Sequence, residues 1–142
     1  MIDGASFDIR NTVIANNIAA ATGPVIWGGV YLRATAGDHL ATFQYNTVYL
    51  NKALGLACVP GSSAITPVGS IFYNVSVDVA GCAAAQASSF DEPRFDPARA
   101  YHLTPSSPCV DKGGTGGPGD DLDGDVRPQG DANDCGADEY TP

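Results

Sequence analysis

Between residues 119 and 128 the chain reads GDDLDGDVRP, which sets four aspartates in positions 120–125 beside Gly119, Gly124 and Arg127. Asp121, Asp123 and Asp125 stand at alternate positions, a spacing that lets successive carboxylates converge on one hard cation, calcium being the candidate. An EF-hand would need glycine at loop position 6 and glutamate at 12, yet counting from Asp121 those places hold Val126 and Ala132. Any calcium site here is therefore of another type. The alternative is purely structural: Asp and Gly build tight turns, and Arg127 pairs with a neighbouring carboxylate.

Other residues with chemistry to offer are scattered. A polysaccharide lyase needs a basic residue and calcium-holding carboxylates on adjacent strands. The strand-like stretches supply Asp8, Arg10, Arg33, Gln44 and Lys52 without a stacked acidic pair. A glycoside hydrolase needs two carboxyl groups about 5–9.5 Å apart, and Asp8 is the one acid in those stretches, with Asp38 in a turn. No catalytic residue is assigned on this basis. His39 lies beside Asp38 with no nucleophile placed near it, and His102, between Tyr101 and Leu103, reads as a structural hydrogen bonder. Aromatic residues point to binding. Trp27, Tyr31, Tyr45, Tyr49 and Tyr73, with Phe43 and Phe72, lie on or beside strand-like runs, and those facing outward would form a platform for sugar rings. The others would fill the core. Asn74-Val75-Ser76 matches a glycosylation sequon by pattern only.

These residues must be positioned by a chain of 142 residues, enough for one domain with a real core. Its net charge of −9 is uneven: nine of the sixteen acidic residues lie from Asp111 onward, against Lys112 and Arg127 alone. The body is nearly neutral and the tail acidic. Seven Lys and Arg in all exclude the basic footprint of a nucleic-acid binder and disfavour an anionic membrane surface. No stretch has the length of a transmembrane helix. The opening MIDGASFDIR lacks the regions of a signal peptide, so the protein is either intracellular or starts from a methionine that is not native. The cysteines favour the second. Cys58, Cys82, Cys109 and Cys135 form no CxxC pair and have no histidine at metal-ligand spacing, so disulfides in an oxidising compartment are expected rather than zinc. Three pairings are open. The local one, Cys58–Cys82 with Cys109–Cys135, closes loops worth about 3.5 kcal/mol each in the chain-entropy treatment.

Helix signals are scarce, whereas short β-type runs recur at 6–17, 25–34, 40–51 and 67–77. The runs resemble one another: RNTVIANN at 10–17 aligns with YNTVYLNK at 45–52, an offset of 35, and GSIFYNVS at 69–76 continues the frame at an offset of 23. Repeats of this kind predict an all-β parallel β-solenoid of about three coils, with asparagines capping backbone groups at the turns. A sandwich is the rival, but its hairpins call for Asn-Gly or Asp-Gly turns, and the one such pair ahead of the tail is Asp3-Gly4. From Phe90 prolines break the pattern, so the reading is one domain, 1–142, with coils over 1–89 and an irregular acidic cap over 90–142. A short strand is expected at Tyr101–Leu103.

The order of segments Arg94–Pro97, Tyr101–Leu103, Ser107–Asp111, Asp121–Asp125, Arg127-Pro128 and Gly136–Tyr140 resembles the C-terminal end of bacterial secreted right-handed parallel β-helix proteins of the pectate-lyase-like, choice-of-anchor type. That resemblance implies the last coils and terminal cap of a longer β-helix, secreted or displayed at the surface. Relatives carry more coils, and many place an aliphatic residue where Cys135 stands; cysteine at both 109 and 135 implies that the two segments touch, in favour of the local pairing. The expected function is a non-catalytic extracellular or surface module that binds glycan, the alternative being the C-terminal fragment of a polysaccharide lyase or related enzyme whose catalytic residues lie upstream. The open first coil is expected to join a second copy, giving a homodimer.

Overall fold

The computed structural model describes residues 2–3, 6–17, 29–33, 40–59 and 65–142. Among them are nine strands and no helix: β1 (Ile2–Asp3), β2 (Phe7–Arg10), β3 (Val13–Ala15), β4 (Val30–Arg33), β5 (Ala41–Gln44), β6 (Thr47–Tyr49), β7 (Leu54–Cys58), β8 (Ile71–Tyr73) and β9 (Val77–Ala80). They form three sheets, ordered β1-β4-β7-β9, β2-β5 and β3-β6-β8. Every strand pairing is parallel. The first six strands visit the three sheets in turn and β7, β8 and β9 then alternate between the first and third, so sequence neighbours lie in different sheets and each strand pairs with one met a circuit earlier or later. Isolated parallel bridges, Gln44 to Val68 to Gln86 and Ile71 to Ser89, add further rungs.

The repeat frame is real but one residue out of step within the strands. Val13 pairs with Thr47 and Tyr49 with Tyr73, where the sequence alignment set Val13 against Val48 and Tyr49 against Phe72. A slip of one residue moves a side chain to the opposite face, so the difference decides what is buried. Between β6 and β8 the cause is Leu50, with φ of 49°, an extra residue before Asn51 where Tyr73 leads directly to Asn74; between β3 and β6 the asparagine that pairs with Asn51 is Asn17, not Asn16. Asn16, at φ of 57°, occupies the equivalent place after β3.

The corners stack even where their residue types differ. Asn11, Tyr45, Gly69 and Ala87 occupy equivalent places one circuit apart, and all have positive φ. Only some of these are residue types that enter the left-handed region readily; the rungs above and below hold the others there. Side-chain amides link the turns in ladders. Asn17 Nδ2 donates to Asn51 Oδ1 at 2.8 Å, Asn51 Nδ2 to Asn74 Oδ1 at 2.9 Å, and Asn74 Nδ2 to Asp78 Oδ1 at 2.9 Å. A second ladder runs from the Thr12 N–H to Asn46 Oδ1, from the Asn46 N–H to Ser70 Oγ, and from the Ser70 N–H to Ser88 Oγ. Buried backbone groups at the corners are thereby satisfied without hairpins.

The interior is a stack of Phe7, Leu32, Phe43, Val48, Leu56, Ile65 and Phe72. Phe72 is stacked between Phe43 at 6.2 Å and Phe90 at 5.6 Å. Strand β7, LGLAC, is among the longest and was not expected. At Gly29 a Cβ would fall 2.1 Å from the Gly55 carbonyl oxygen, and at Gly55 one would fall 2.4 Å from Asn74 Nδ2. Backbones approach closely where side chains are missing, which places glycine in a strand interior despite its low β-propensity.

From Phe90 the chain is irregular, as expected, and packs along the side of the stack, bonding Asn11 and Asn16 on the first circuit, Tyr45 and Thr47 on the second and Gly69 on the third. The anticipated strand at Tyr101–Leu103 reduces to a single antiparallel bridge between Leu103 and Phe95. The tail is bonded into the sheets. The Gly136 N–H donates to the Gly69 carbonyl at 2.8 Å and the Ala137 N–H to Thr47 Oγ1 at 3.0 Å. Ile71, Leu103, Cys109 and Cys135 form a second apolar cluster beneath it.

Candidate functional site

The aspartates of 119–128 face three different partners. Asp121 is buried; its Oδ1 accepts the N–H groups of Asp123 at 2.8 Å and Asp125 at 2.9 Å, and its Oδ2 accepts the Glu139 N–H at 2.9 Å. Both of its oxygens are thus committed to holding a turn and docking the C-terminal segment. Asp125 Oδ2 lies 3.3 Å from Thr141 Oγ1, whereas Asp123 turns to His102. The three carboxylates of the anticipated calcium loop do not gather around one point. Arg127 does pair with a carboxylate, in a buried bond to Glu139 at 2.9 Å.

The grouping that forms instead is His102, Asp123 and Asp138, whose ligand atoms all lie within 4.8 Å of one another. Two turns present the histidine: the Arg99 N–H donates to the Asp96 carbonyl and the His102 N–H to the Arg99 carbonyl, while the Asp96 N–H closes on the His102 carbonyl at 2.8 Å. His102 Nδ1 faces the Ala100 carbonyl at 3.0 Å, and Nε2 contacts Asp123 Oδ2, with Asp138 Oδ1 3.8 Å away. Acceptors at both nitrogens favour the doubly protonated ring. Burial opposes that charge, but the bonds to Asp123 and Ala100 and the charges of Asp138 and Asp123 outweigh it, and the pKa is raised. Asp138, only 4% exposed, has Oδ2 fixed by the Leu103 N–H at 2.6 Å. Burial lifts its carboxyl to about 6, against the pull of that N–H and of His102. Beside the group lies an open cavity of about 210 Å³, bordered by Arg99, Thr104, Asp125 and Tyr140.

The aromatic residues are used differently from one another. Trp27 falls outside the described residues, as do Asp38 and His39. Tyr31 is half-buried on β4. Tyr45 is 1% exposed and cannot present a face to solvent. Its ring lies against Gly69 and Gly117, where a Cβ would come within 2.8 and 2.1 Å of ring carbons. Its hydroxyl meets the Gly116 and Gly113 carbonyls at 2.6 and 2.9 Å. Tyr45 is thus an anchor for the tail. Tyr49 and Tyr73 stack on neighbouring rungs with centroids 5.9 Å apart, and Phe95 and Tyr101 close edge-on against Tyr49.

Cys58 and Cys82 form the expected disulfide, with Cα atoms 4.9 Å apart. The second bridge is not formed. Cys109 and Cys135 are buried free thiols held side by side, the Cys135 N–H donating to the Cys109 carbonyl at 3.0 Å. The segments touch as the residue pattern implied, but the contact between the sulfurs is a hydrogen bond. Donation to Cys109, together with burial, keeps Cys135 protonated and its pKa raised.

Sequence reasoning did not bring His102 and Asp138 together. They lie 36 positions apart, a separation that matches no ligand spacing. No family model, no curated protein and no solved structure matches this chain.

Proposed function

We propose that this chain is a non-catalytic surface module, the C-terminal end of a parallel β-solenoid of about three coils closed by residues 90–142. The observation that carries this reading is the docking of the acidic tail along the stacked rungs, with Gly136 and Ala137 donating to Gly69 and Thr47 and the Asp120 carbonyl accepting from Asn11. A glycine- and aspartate-rich tail bonded in this way completes a stack of strands. The parallel pairing in all three sheets and the stacked positive-φ corners support reading each circuit as a coil. A parallel crossover is right-handed in nearly all folds, which supports that hand. The resemblance of the tail segments to secreted pectate-lyase-like proteins fits the same architecture, and the Cys58–Cys82 disulfide fits an oxidising, extracellular setting.

Two features favour a non-catalytic role. Asp8 is bonded to Arg10 at 2.6 Å, and Asp78 is spent on the N–H and side chain of Asn74. Neither forms the carboxylate pair that glycoside hydrolysis requires. In this reading carbohydrate contact falls to the cluster of Tyr49, Tyr73 and Tyr101. In this reading the outer edges of β1, β2 and β3, the N-terminal coil, join a second copy in a homodimer.

A glycan-array screen paired with a cleavage assay on the bound polysaccharides tests the proposal. Binding that weakens in Tyr73→Ala, with no new reducing or unsaturated ends, is expected. Turnover of any bound polysaccharide would contradict it, and sedimentation at micromolar concentration reads the assembly state directly.

A further inference from the structure

We propose that His102 Nε2, Asp123 Oδ2 and Asp138 Oδ1 bind one divalent transition-metal ion of the zinc class, with water completing the coordination from the adjoining cavity. The three atoms lie within 4.8 Å of one another, and His102 Nε2 is 3.8 Å from Asp138 Oδ1. Zinc bonds to nitrogen and oxygen of about 2.0–2.2 Å require ligand atoms about 3.3–3.6 Å apart in a tetrahedron. Asp123 stands on a surface turn and can make that adjustment by side-chain rotation.

Two further observations point to a ligand rather than a chance cluster of acids. Asp138 is buried, yet of its two oxygens only Oδ2 accepts a hydrogen bond, and Oδ1 is aimed at the histidine beside the cavity. Its partner there is His102 Nε2 at 3.8 Å, beyond hydrogen-bond reach, and a cation held between the two would satisfy that oxygen directly. His102 is also held as a ligating histidine is held. Its Nδ1–H donates to the Ala100 carbonyl, which fixes the ring and directs Nε2 at the two carboxylates. The metal takes the place of the Nε2 proton, which is released on binding. Arg99, whose Nη2 lies 3.6 Å from Asp123 Oδ2, is 61% exposed and can swing into solvent.

The donor set decides the class of metal. One imidazole and two carboxylates suit zinc or manganese, whereas calcium and magnesium prefer all-oxygen shells. Three protein ligands beside an open cavity leave at least one position for water. The ion would tie together the turns at 96–102, the aspartate loop at 120–125 and the C-terminal segment at 136–140.

Equilibrium dialysis against zinc chloride, with metal analysis and a thermal melt, tests the site, with calcium chloride as the parallel arm. One zinc per chain and a raised melting temperature are expected, both lost in His102→Gln and in Asp123→Asn with affinity at least about tenfold weaker. If His102→Gln does not fold, Asp123→Asn decides, because that side chain is more than a third exposed. Absence of bound zinc would overturn the proposal. So would zinc held equally by both variants, which would place it at Cys109 and Cys135 or elsewhere, or stabilisation by calcium that survives His102→Gln.

Discussion

Removing the Arg127 guanidinium should be among the most damaging single changes in the cap. Arg127 and Glu139 have side chains 0% and 1% exposed, and their bond is 2.9 Å long. The same guanidinium donates to the carbonyls of Asp134 at 3.0 Å and Gly136 at 2.9 Å, and it lies 5.1 Å from the centre of the Tyr45 ring. Arg127→Met keeps the length and the contact with Tyr45 but strands two carbonyls and a carboxylate. Glu139 retains the N–H groups of Gln129 and Asp134, both at 2.9 Å, so its charge is only partly uncompensated. Breaking a buried pair from one side costs about 3–5 kcal/mol, and each stranded carbonyl adds about 1 kcal/mol or more where water cannot enter. The remaining donors to Glu139 offset part of this, so about 3–5 kcal/mol is the expected loss. Urea denaturation of the wild type, Arg127→Met, Glu139→Gln and the double variant measures it. The two single losses should exceed the double by about 1–3 kcal/mol, the range for residues sharing one network. A loss below about 1 kcal/mol for Arg127→Met, or strict additivity, would refute the account of this network.

Asp121→Asn should destabilise by about 1–3 kcal/mol, because its two oxygens receive three N–H groups, whereas Asp125→Asn should stay within about 0.5 kcal/mol; equal effects would contradict the role given to Asp121. Gly29→Ala should cost about 2–3 kcal/mol, since its Cβ would sit 2.1 Å from the Gly55 oxygen, and a neutral result would argue against the packing of β4 on β7. With metal removed by EDTA, His102 and Asp138 both have folded pKa values above their unfolded ones. Their stabilising contributions are complete at acid pH and fade as pH rises through about 6 for Asp138, then through the raised value of His102. Stability should therefore fall from about pH 4 to 6 on account of Asp138 and again above about pH 6.5 on account of His102, with the first fall lost in Asp138→Asn, and an unchanged slope in that variant would refute the assignment. Alkylation without reductant should label no cysteine in the native protein and Cys109 and Cys135 alone after unfolding; no label after unfolding would reveal a second disulfide.

The parallel, repeating character of the chain was legible because Asn, Thr and β-branched residues recur in one frame and hairpin turns are missing. Its register was not. The extra Leu50 at a corner shifts the strands by one residue relative to the asparagines, and sequence alone does not say whether the strands or the amide ladder carry the frame. Strand β7 stayed hidden because Gly55 and Ala57 carry no β signal; what makes them a strand is the approach of Gly29 and Asn74 on either side. The tail read as a calcium loop or a set of turns; Asp121 holds turns, whereas Asp123 reaches His102 and does not join Asp121 and Asp125. Asp138 lay within the GADEY segment without any local sign of chemistry, since its partners come from two other parts of the cap. Tyr45 was misread as a platform because period-two alternation fails at a corner residue with positive φ.

The central claim is that the acidic, glycine-rich tail is a folded cap that forms one unit with the stacked sheets. Hydrogen exchange of the native protein tests this most directly. The account predicts that the amides of Cys135, Gly136 and Ala137, which donate to Cys109, Gly69 and Thr47, exchange as slowly as those of Tyr45, Val68 and Ile71 in the rungs beneath. A tail that exchanges at the rate of a free linker while the rungs remain protected would contradict it.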